Sequence, residues 1–200
     1  DNESFCTVLE YCTGPDLGAY LKKNKVISEK EARIIITQIL LGLEYLNKLP
    51  KKIIHYDLKP ENILLKFKTH EDKENFNFEN CTVKISDFGL SKFKDVNEDE
   101  KLIGGSPLYM PPELFDKDVP NEVIENDAVD IWSLGCIAFE LFYGENPFKT
   151  REVRELADLV KIIDKGNYYI TLERPISIQL MAFINCCLQA KQKTRVSAKI

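Results

Sequence analysis

Ile53-Ile54-His55-Tyr56-Asp57-Leu58-Lys59-Pro60-Glu61-Asn62-Ile63-Leu64-Leu65 is the stretch on which the reading of the whole chain turns. Two short apolar runs of strand length flank a polar loop that packs a His, an Asp, a Lys and an Asn into eight positions. An acid, a cation and an amide in one tight loop suit phosphoryl transfer. That reaction needs a carboxylate at the attacking hydroxyl, positive charge on the moving group, and oxygen ligands for magnesium. Taken alone, an Asp in a turn is often only a turn former. Further along, Val83-Lys84-Ile85-Ser86 alternates as a strand and presents Asp87-Phe88-Gly89, a second acidic loop in the right order.

Outward from this centre, the chain reads mainly as helix. Ser28-x-x-Glu31 is a capping box, and Ala32, Ile35, Ile36, Ile39, Leu40, Leu43 and Leu46 recur at helical spacing to about Leu49. Pro50-Lys51-Lys52 ends that helix and delivers the chain to Ile53. Before it, Ser4 to Cys12 is rich in strand formers, Gly14-Pro15 breaks the run, and Asp16 can cap a short helix to Lys22 or Lys23. After it, Asp127 to Tyr143 is apolar all round, which predicts a buried helix stopped by Gly144. An amphipathic helix from about Thr150 to Ile163 and another from Ile178 to Leu188 complete the pattern. Lys66 to Thr82 is polar with two Asn-Phe steps and is expected as an inserted surface loop. Lys94 to Lys101 is charged and expected to be irregular and exposed.

Bulk properties narrow the function classes. The chain has 200 residues, 44% of them hydrophobic, enough for one sizeable core. A formal net charge of −5 argues against a direct nucleic-acid binder. No apolar run reaches membrane-spanning length, and Asp1-Asn2-Glu3-Ser4 is not how a signal peptide opens. Six cysteines without a C-x-x-C pair, and only two histidines, point to reduced thiols in an intracellular protein.

His55-x-Asp57-x-Lys59-x-x-Asn62, Asp87-Phe88-Gly89, Pro111-Pro112-Glu113 and the Asp130-Ile131-Trp132-Ser133-x-Gly135 helix together resemble protein kinases. Phe5 to Cys12, Glu29 to Arg33, Tyr45 to Lys48, Ile53 to Pro60 and Asp87 to Lys92 are most similar to the Tousled-like serine/threonine kinases, closely up to about Leu65. From Gly105 to Tyr109 the chain reads more like autophagy-initiating or calcium-regulated kinases. The resemblance implies an α+β, mainly α, protein-kinase-like fold in which residues 1–200 supply the C-terminal lobe and a hinge strand. None of the nine glycines forms G-x-G-x-x-G, and no Val-Ala-x-Lys strand precedes the hinge, so the small lobe is expected to lie outside these residues.

It further implies ATP and Mg²⁺ as cofactors and transfer of the γ-phosphoryl group to a protein Ser or Thr hydroxyl, with Lys59 after Asp57-Leu58 matching the serine/threonine class. Asp57 would accept or orient the substrate proton, Lys59 would neutralise the moving group, and Asn62 and Asp87 would hold magnesium. His55 reads as architecture of the loop. Glu10 and Cys12 would offer backbone hydrogen bonds to adenine, Leu9 would be the gatekeeper, Asp16 would face the ribose, and Leu64 would line the nucleotide site. Residues 87–113 would form the activation segment, with Ser106 hydrogen-bonding near Asp57 and Lys59. Glu113 and Arg195 would pair in the interior, and Asp130 would brace the catalytic-loop backbone. Tyr56 stands where most regulated kinases carry Arg, so the segment is not expected to be switched by phosphorylation in the usual way. The Tousled-like resemblance implies a nuclear enzyme, otherwise a cytoplasmic one, that could form homo-oligomers through a coiled coil outside these residues. Two other readings stand beside it. One is a truncated, non-catalytic kinase-lobe interaction module; the other, a small-molecule phosphotransferase, lacks an activation segment of this kind.

Overall fold

Helix caps set the frame. In the computed structural model Asp16 starts α1 (Leu17–Asn24) by accepting the Ala19 N–H at 2.7 Å. The capping box at Ser28 starts α2 (Glu29–Lys48): the Ser28 hydroxyl accepts from the Glu31 N–H, and the Glu31 carboxylate accepts from the Ser28 N–H at 2.8 Å. The structure describes residues 6–93, 105–116, 120, 123, 126–149, 155–164 and 175–198. Ala32, Ile35, Ile36, Ile39, Leu43 and Leu46 form the buried stripe of α2, as their spacing predicts.

Short strands carry the loops. β1 (Ile53–Ile54) pairs antiparallel with β4 (Lys92–Phe93), and β2 (Ile63–Phe67) pairs antiparallel with β3 (Cys81–Ile85), Leu65 opposite Val83. The second pair therefore holds both polar loops by its ends: His55 to Asn62 enters β2, and β3 exits to Asp87. The main core lies where α2, the β2–β3 pair and α4 (Ala128–Tyr143) meet, and α4 is buried on almost every face. α5 (Leu156–Asp164) and α6 (Ile178–Cys187) close the far side; residues 150–154, where the amphipathic pattern begins, lie outside the described residues. The stretch Lys94 to Lys101 lies outside them as well. Among the described residues, no helix is long and apolar enough to cross a membrane.

Two expectations are corrected. Residues 6–12, expected as part of a strand, have no regular structure, and Val8 and Leu9 are 92% and 80% exposed. Strand formers alone do not make a strand, since the backbone needs a neighbour to pair with. The chain finds one only later, where Gly14 N–H donates to the Leu65 carbonyl at 2.8 Å and Leu65 N–H to that of Pro15 at 3.2 Å. Residues 66–82, expected as a surface loop, extend both strands and enclose α3 (His70–Glu74) and a turn at Phe78–Asn80. The two Asn-Phe steps explain the difference. Phe76 and Phe78 meet Tyr20 edge-on at 4.7 and 5.4 Å, with Phe67 beside them, so the polar composition hides an aromatic plug. Asp72 ties the turn by accepting from Thr69, Asn77 and Asn80.

α4 and α6 cross at Gly135. A Cβ there would lie 2.7 Å from the Cβ of Cys187 and 2.9 Å from Leu188 Cδ2. Gly135→Ala is expected to cost about 1–3 kcal/mol, because overpacking a tight crossing forces backbone shifts. A lower denaturant midpoint at unchanged slope would show it.

Candidate active site

The polar loop is built around two backbone anchors. Asp130, 3% exposed near the start of α4, accepts the N–H of His55 at 2.8 Å and that of Tyr56 at 3.0 Å, one on each carboxylate oxygen. Burial pushes the Asp130 carboxyl up from its ordinary value, and those two N–H bonds oppose the shift. The bracing role expected of Asp130 is therefore visible in its contacts. His55 is fully buried: its Nδ1 accepts the Asp57 N–H at 3.3 Å, so the tautomer with hydrogen on Nε2 lets it donate to the Ser86 carbonyl at 2.9 Å. The imidazole thus ties the loop to the residue before Asp87, and it also meets Phe88 edge-on at 4.9 Å. Asp130→Asn is expected to place an NH₂ against one of two backbone N–H donors, at a cost of about 1–3 kcal/mol. Faster amide exchange at His55 and Tyr56 than at α2 would register it.

Asp57, Lys59, Asn62 and Ser106 meet at one point. Asp57 Oδ2 accepts from Lys59 Nζ at 2.7 Å and from Asn62 Nδ2 at 3.1 Å, while Oδ1 accepts the Ser106 N–H at 3.0 Å. Lys59 Nζ also donates to the Ser106 hydroxyl at 3.0 Å. A carboxylate offers about four lone-pair sites. Among the described residues three are taken, and the fourth belongs to Oδ1. The Asn62 amide nitrogen is used twice by Asp57, on Oδ2 and on the backbone carbonyl at 2.8 Å, which turns the amide oxygen away as an acceptor. The Asn62 carbonyl in turn accepts the Ser86 N–H at 2.9 Å and its hydroxyl at 3.0 Å.

Asp87 follows at φ 60, in the left-handed region, with Oδ1 accepting the Gly89 N–H at 3.2 Å and the side chain exposed. Asn62 and Asp87 thus supply hard oxygen donors of the kind Mg²⁺ prefers. Among the described residues no group of three or more His, Cys, Asp or Glu side chains could hold an ion alone. A cation here would need further oxygens from phosphates or water, its usual manner of binding.

The other expected contacts lie along β2. Asp16 and Leu64 are bridge partners, and Leu64 is half-buried. Glu10 accepts from Lys66 Nζ at 2.6 Å and lies 3.2 Å from Lys84 Nζ; these bonds and charges hold its carboxyl below the usual range. Cys12 is half-buried just before this pairing begins. Sequence reasoning missed the clamp that positions them: the Thr13 hydroxyl accepts the Phe67 N–H at 2.9 Å and donates to its carbonyl at 3.1 Å.

A third group fastens residues 105–114. Gly105 has φ +118, and a Cβ there would sit 3.2 Å from the Tyr56 carbonyl. The Asn146 amide donates to the Leu108 carbonyl at 3.0 Å, and the Ser133 hydroxyl to that of Tyr109 at 2.8 Å. Tyr109 OH donates to Glu140 at 2.5 Å; burial raises both groups, so the phenol stays the donor. Beyond them, Arg195 grips Glu113 with two bonds of 2.7 and 3.0 Å, as expected. Its guanidinium also donates to the carbonyls of Ala128 and Gln189 and lies 5.0 Å over Trp132, which stacks on Phe148 at 5.3 Å. Asn146 and Glu140 escaped sequence reading, and Ser133 entered it only as part of a helix motif. Only Glu140, a charge inside an apolar helix, offered a signal.

Residues 1–200 match the family described as Protein kinase domain. The chain is 38% identical over 209 residues to serine/threonine-protein kinase tousled-like 2 of Mus musculus, covering 100% of this chain and 28% of that protein. It is 40% identical to serine/threonine-protein kinase tousled-like 1 of Caenorhabditis elegans, covering 98% of this chain and 20% of the relative. Serine/threonine-protein kinase TOUSLED of Arabidopsis thaliana is 39% identical, with 98% and 28% covered. The chain thus spans about a quarter of the length of such relatives.

Proposed function

Because this chain belongs to the protein kinase family, we propose that it supplies the hinge and large lobe of an ATP- and Mg²⁺-dependent serine/threonine kinase. The observation that carries this reading is the meeting of Asp57, Lys59, Asn62 and the Ser106 backbone at one carboxylate. In this reading a protein hydroxyl takes the remaining acceptor site on Asp57 Oδ1. Its oxygen forms the new bond to the γ-phosphorus as the bond to the leaving diphosphate oxygen breaks, and its proton passes to Asp57. Lys59 puts positive charge beside the moving group and keeps the Asp57 rotamer fixed. The Asn62 amide oxygen and the Asp87 carboxylate would hold magnesium, which offsets charge on the phosphates. Asp16 and Leu64, aligned along β2, would border the nucleoside, with Glu10 and Cys12 offering backbone groups to the base. Residues 87–113 would act as the activation segment. A nuclear place of work, and assembly through segments outside these residues, rest on the Tousled-like similarity and belong to the same proposal.

The test uses the full-length protein with ATP labelled in the γ-phosphate, Mg²⁺ and a generic protein substrate. Magnesium-dependent label on serine or threonine, lost in Asp87→Asn, is the expected result. An intact, folded full-length protein that transfers no label would overturn the reading and favour the non-catalytic interaction module.

A further inference from the structure

The loop carries an aromatic residue where the backbone least tolerates one. Tyr56 has φ 64, a left-handed conformation that is rare for bulky side chains, and Asp130 holds the peptide there. Tyr56 is 8% exposed and forms, with Ile54 and Val129, a second apolar cluster apart from the main core. Two more side chains pack on this cluster, Leu90 and Leu114. Leu90 follows the Asp87-Phe88-Gly89 loop directly, and Leu114 follows Glu113 directly. One small cluster therefore touches the catalytic loop, α4 and both ends of residues 87–113.

The hydroxyls of that segment are already engaged. Residues 87–113 contain only Ser91, Ser106 and Tyr109. Ser91 Oγ lies 3.4 Å from the His55 carbonyl, Ser106 Oγ accepts from Lys59, and Tyr109 OH donates to Glu140. A phosphate on Tyr109 would break the bond to Glu140 and face its carboxylate, and one on Ser106 would draw the Lys59 ammonium away from Asp57.

We propose that Tyr56 is a positioning residue whose ring fastens both ends of the 87–113 segment to the catalytic loop through Leu90 and Leu114, keeping Asp57 and Asp87 aligned without phosphate on that segment. This rests on the kinase reading above. It assigns to packing a task that a guanidinium–phosphate pair would otherwise perform.

The test compares phosphatase-treated full-length protein with Tyr56→Ala, Tyr56→Phe, Leu90→Ala, Leu114→Ala and the Tyr56→Ala/Leu90→Ala pair. The native protein is expected to keep its rate after phosphatase. Tyr56→Ala is expected to lose roughly 10- to 100-fold in kcat per folded molecule, the scale set by misplaced catalytic groups. Tyr56→Phe, which keeps the ring, should lose less than Tyr56→Ala, and the double variant should fall little below Tyr56→Ala alone, since coupled residues are not additive. Should Tyr56→Ala fail to fold, the two leucine variants carry the comparison, each with lowered kcat. Full activity in Tyr56→Ala, independent effects in the double variant, or a native enzyme silenced by phosphatase would each overturn the proposal. If the native protein transfers no phosphoryl group, the kinase reading has failed instead. Amide exchange then decides: faster exchange at both Leu90 and Leu114 in the Tyr56 or leucine variants, with α2 unchanged, still supports the staple, and unchanged exchange overturns it.

Discussion

Asp57→Asn is expected to lower kcat for transfer to a protein hydroxyl by roughly 10²- to 10⁴-fold, the range assigned to a positioned acid or base. The substitution keeps the size of the side chain and reverses part of its polarity. Asp57 receives three donors: Lys59 Nζ, the Asn62 amide and the Ser106 N–H. An asparagine must turn its NH₂ toward one of these groups, donor against donor. If it faces Lys59 and Asn62, the cation and the amide lose their common partner. If it faces Ser106, the segment moves away and the acceptor site for the substrate hydroxyl disappears. Either way the hydroxyl is no longer aimed, and its proton has no carboxylate to receive it. The KM for nucleotide should change far less, because Asp57 is not a proposed phosphate or metal contact. Steady-state kinetics on the full-length variant, with a melting curve to show that it is folded, separate these effects. A kcat close to the native value would remove Asp57 from the reacting centre.

The second large effect concerns stability. Arg195→Ala is expected to cost about 3–5 kcal/mol, the usual result of leaving one member of a buried ion pair without its partner. Both members are deeply buried: Arg195 and Glu113 are each 7% exposed. Arg195 also donates to the carbonyls of Ala128 and Gln189, so its loss removes those bonds together with the ion pair. Against a typical margin of about 5–15 kcal/mol, such a loss is large enough to unfold much of the protein at physiological temperature. The pair Arg195→Met with Glu113→Gln should lose less than the sum of the single changes, since removing both charges leaves neither one stranded. Equal and additive losses would show that the two side chains contribute separately.

Features fixed by neighbours in sequence were legible in the sequence itself. The capping box at Ser28, the stripe of α2 and the all-round apolarity of α4 are local patterns, and each formed where its spacing placed it. The Asp57, Lys59 and Asn62 cluster was also readable, because all three lie in one loop whose internal spacing forces them together. Contacts between distant segments left weaker marks. Nothing near Thr13 announces that its hydroxyl will bridge both backbone groups of Phe67. Phe76 and Phe78 looked like loop residues because their sequence neighbours are polar, whereas their actual neighbours are Tyr20 and Phe67. The run from Ser4 to Cys12 failed in the opposite direction, since strand composition without a pairing partner gave no strand over 6–12. The Arg195–Glu113 pair, the Asp130 brace and the Ser106 contacts are exceptions, distant contacts anticipated only through the family resemblance.

Trp132 is the only tryptophan among these 200 residues. It lies buried between the Phe148 ring and the Arg195 guanidinium, beside the clamp on Glu113. Its indole is thus a built-in fluorophore at the joint where the 87–113 segment is fastened to the lobe. Excited in a site closed to water, it should emit toward the blue. Water reaching that joint would move the emission to the red while the far-ultraviolet signal of the helices still persists. The chain carries its own optical gauge for any loosening at that joint, without any label attached.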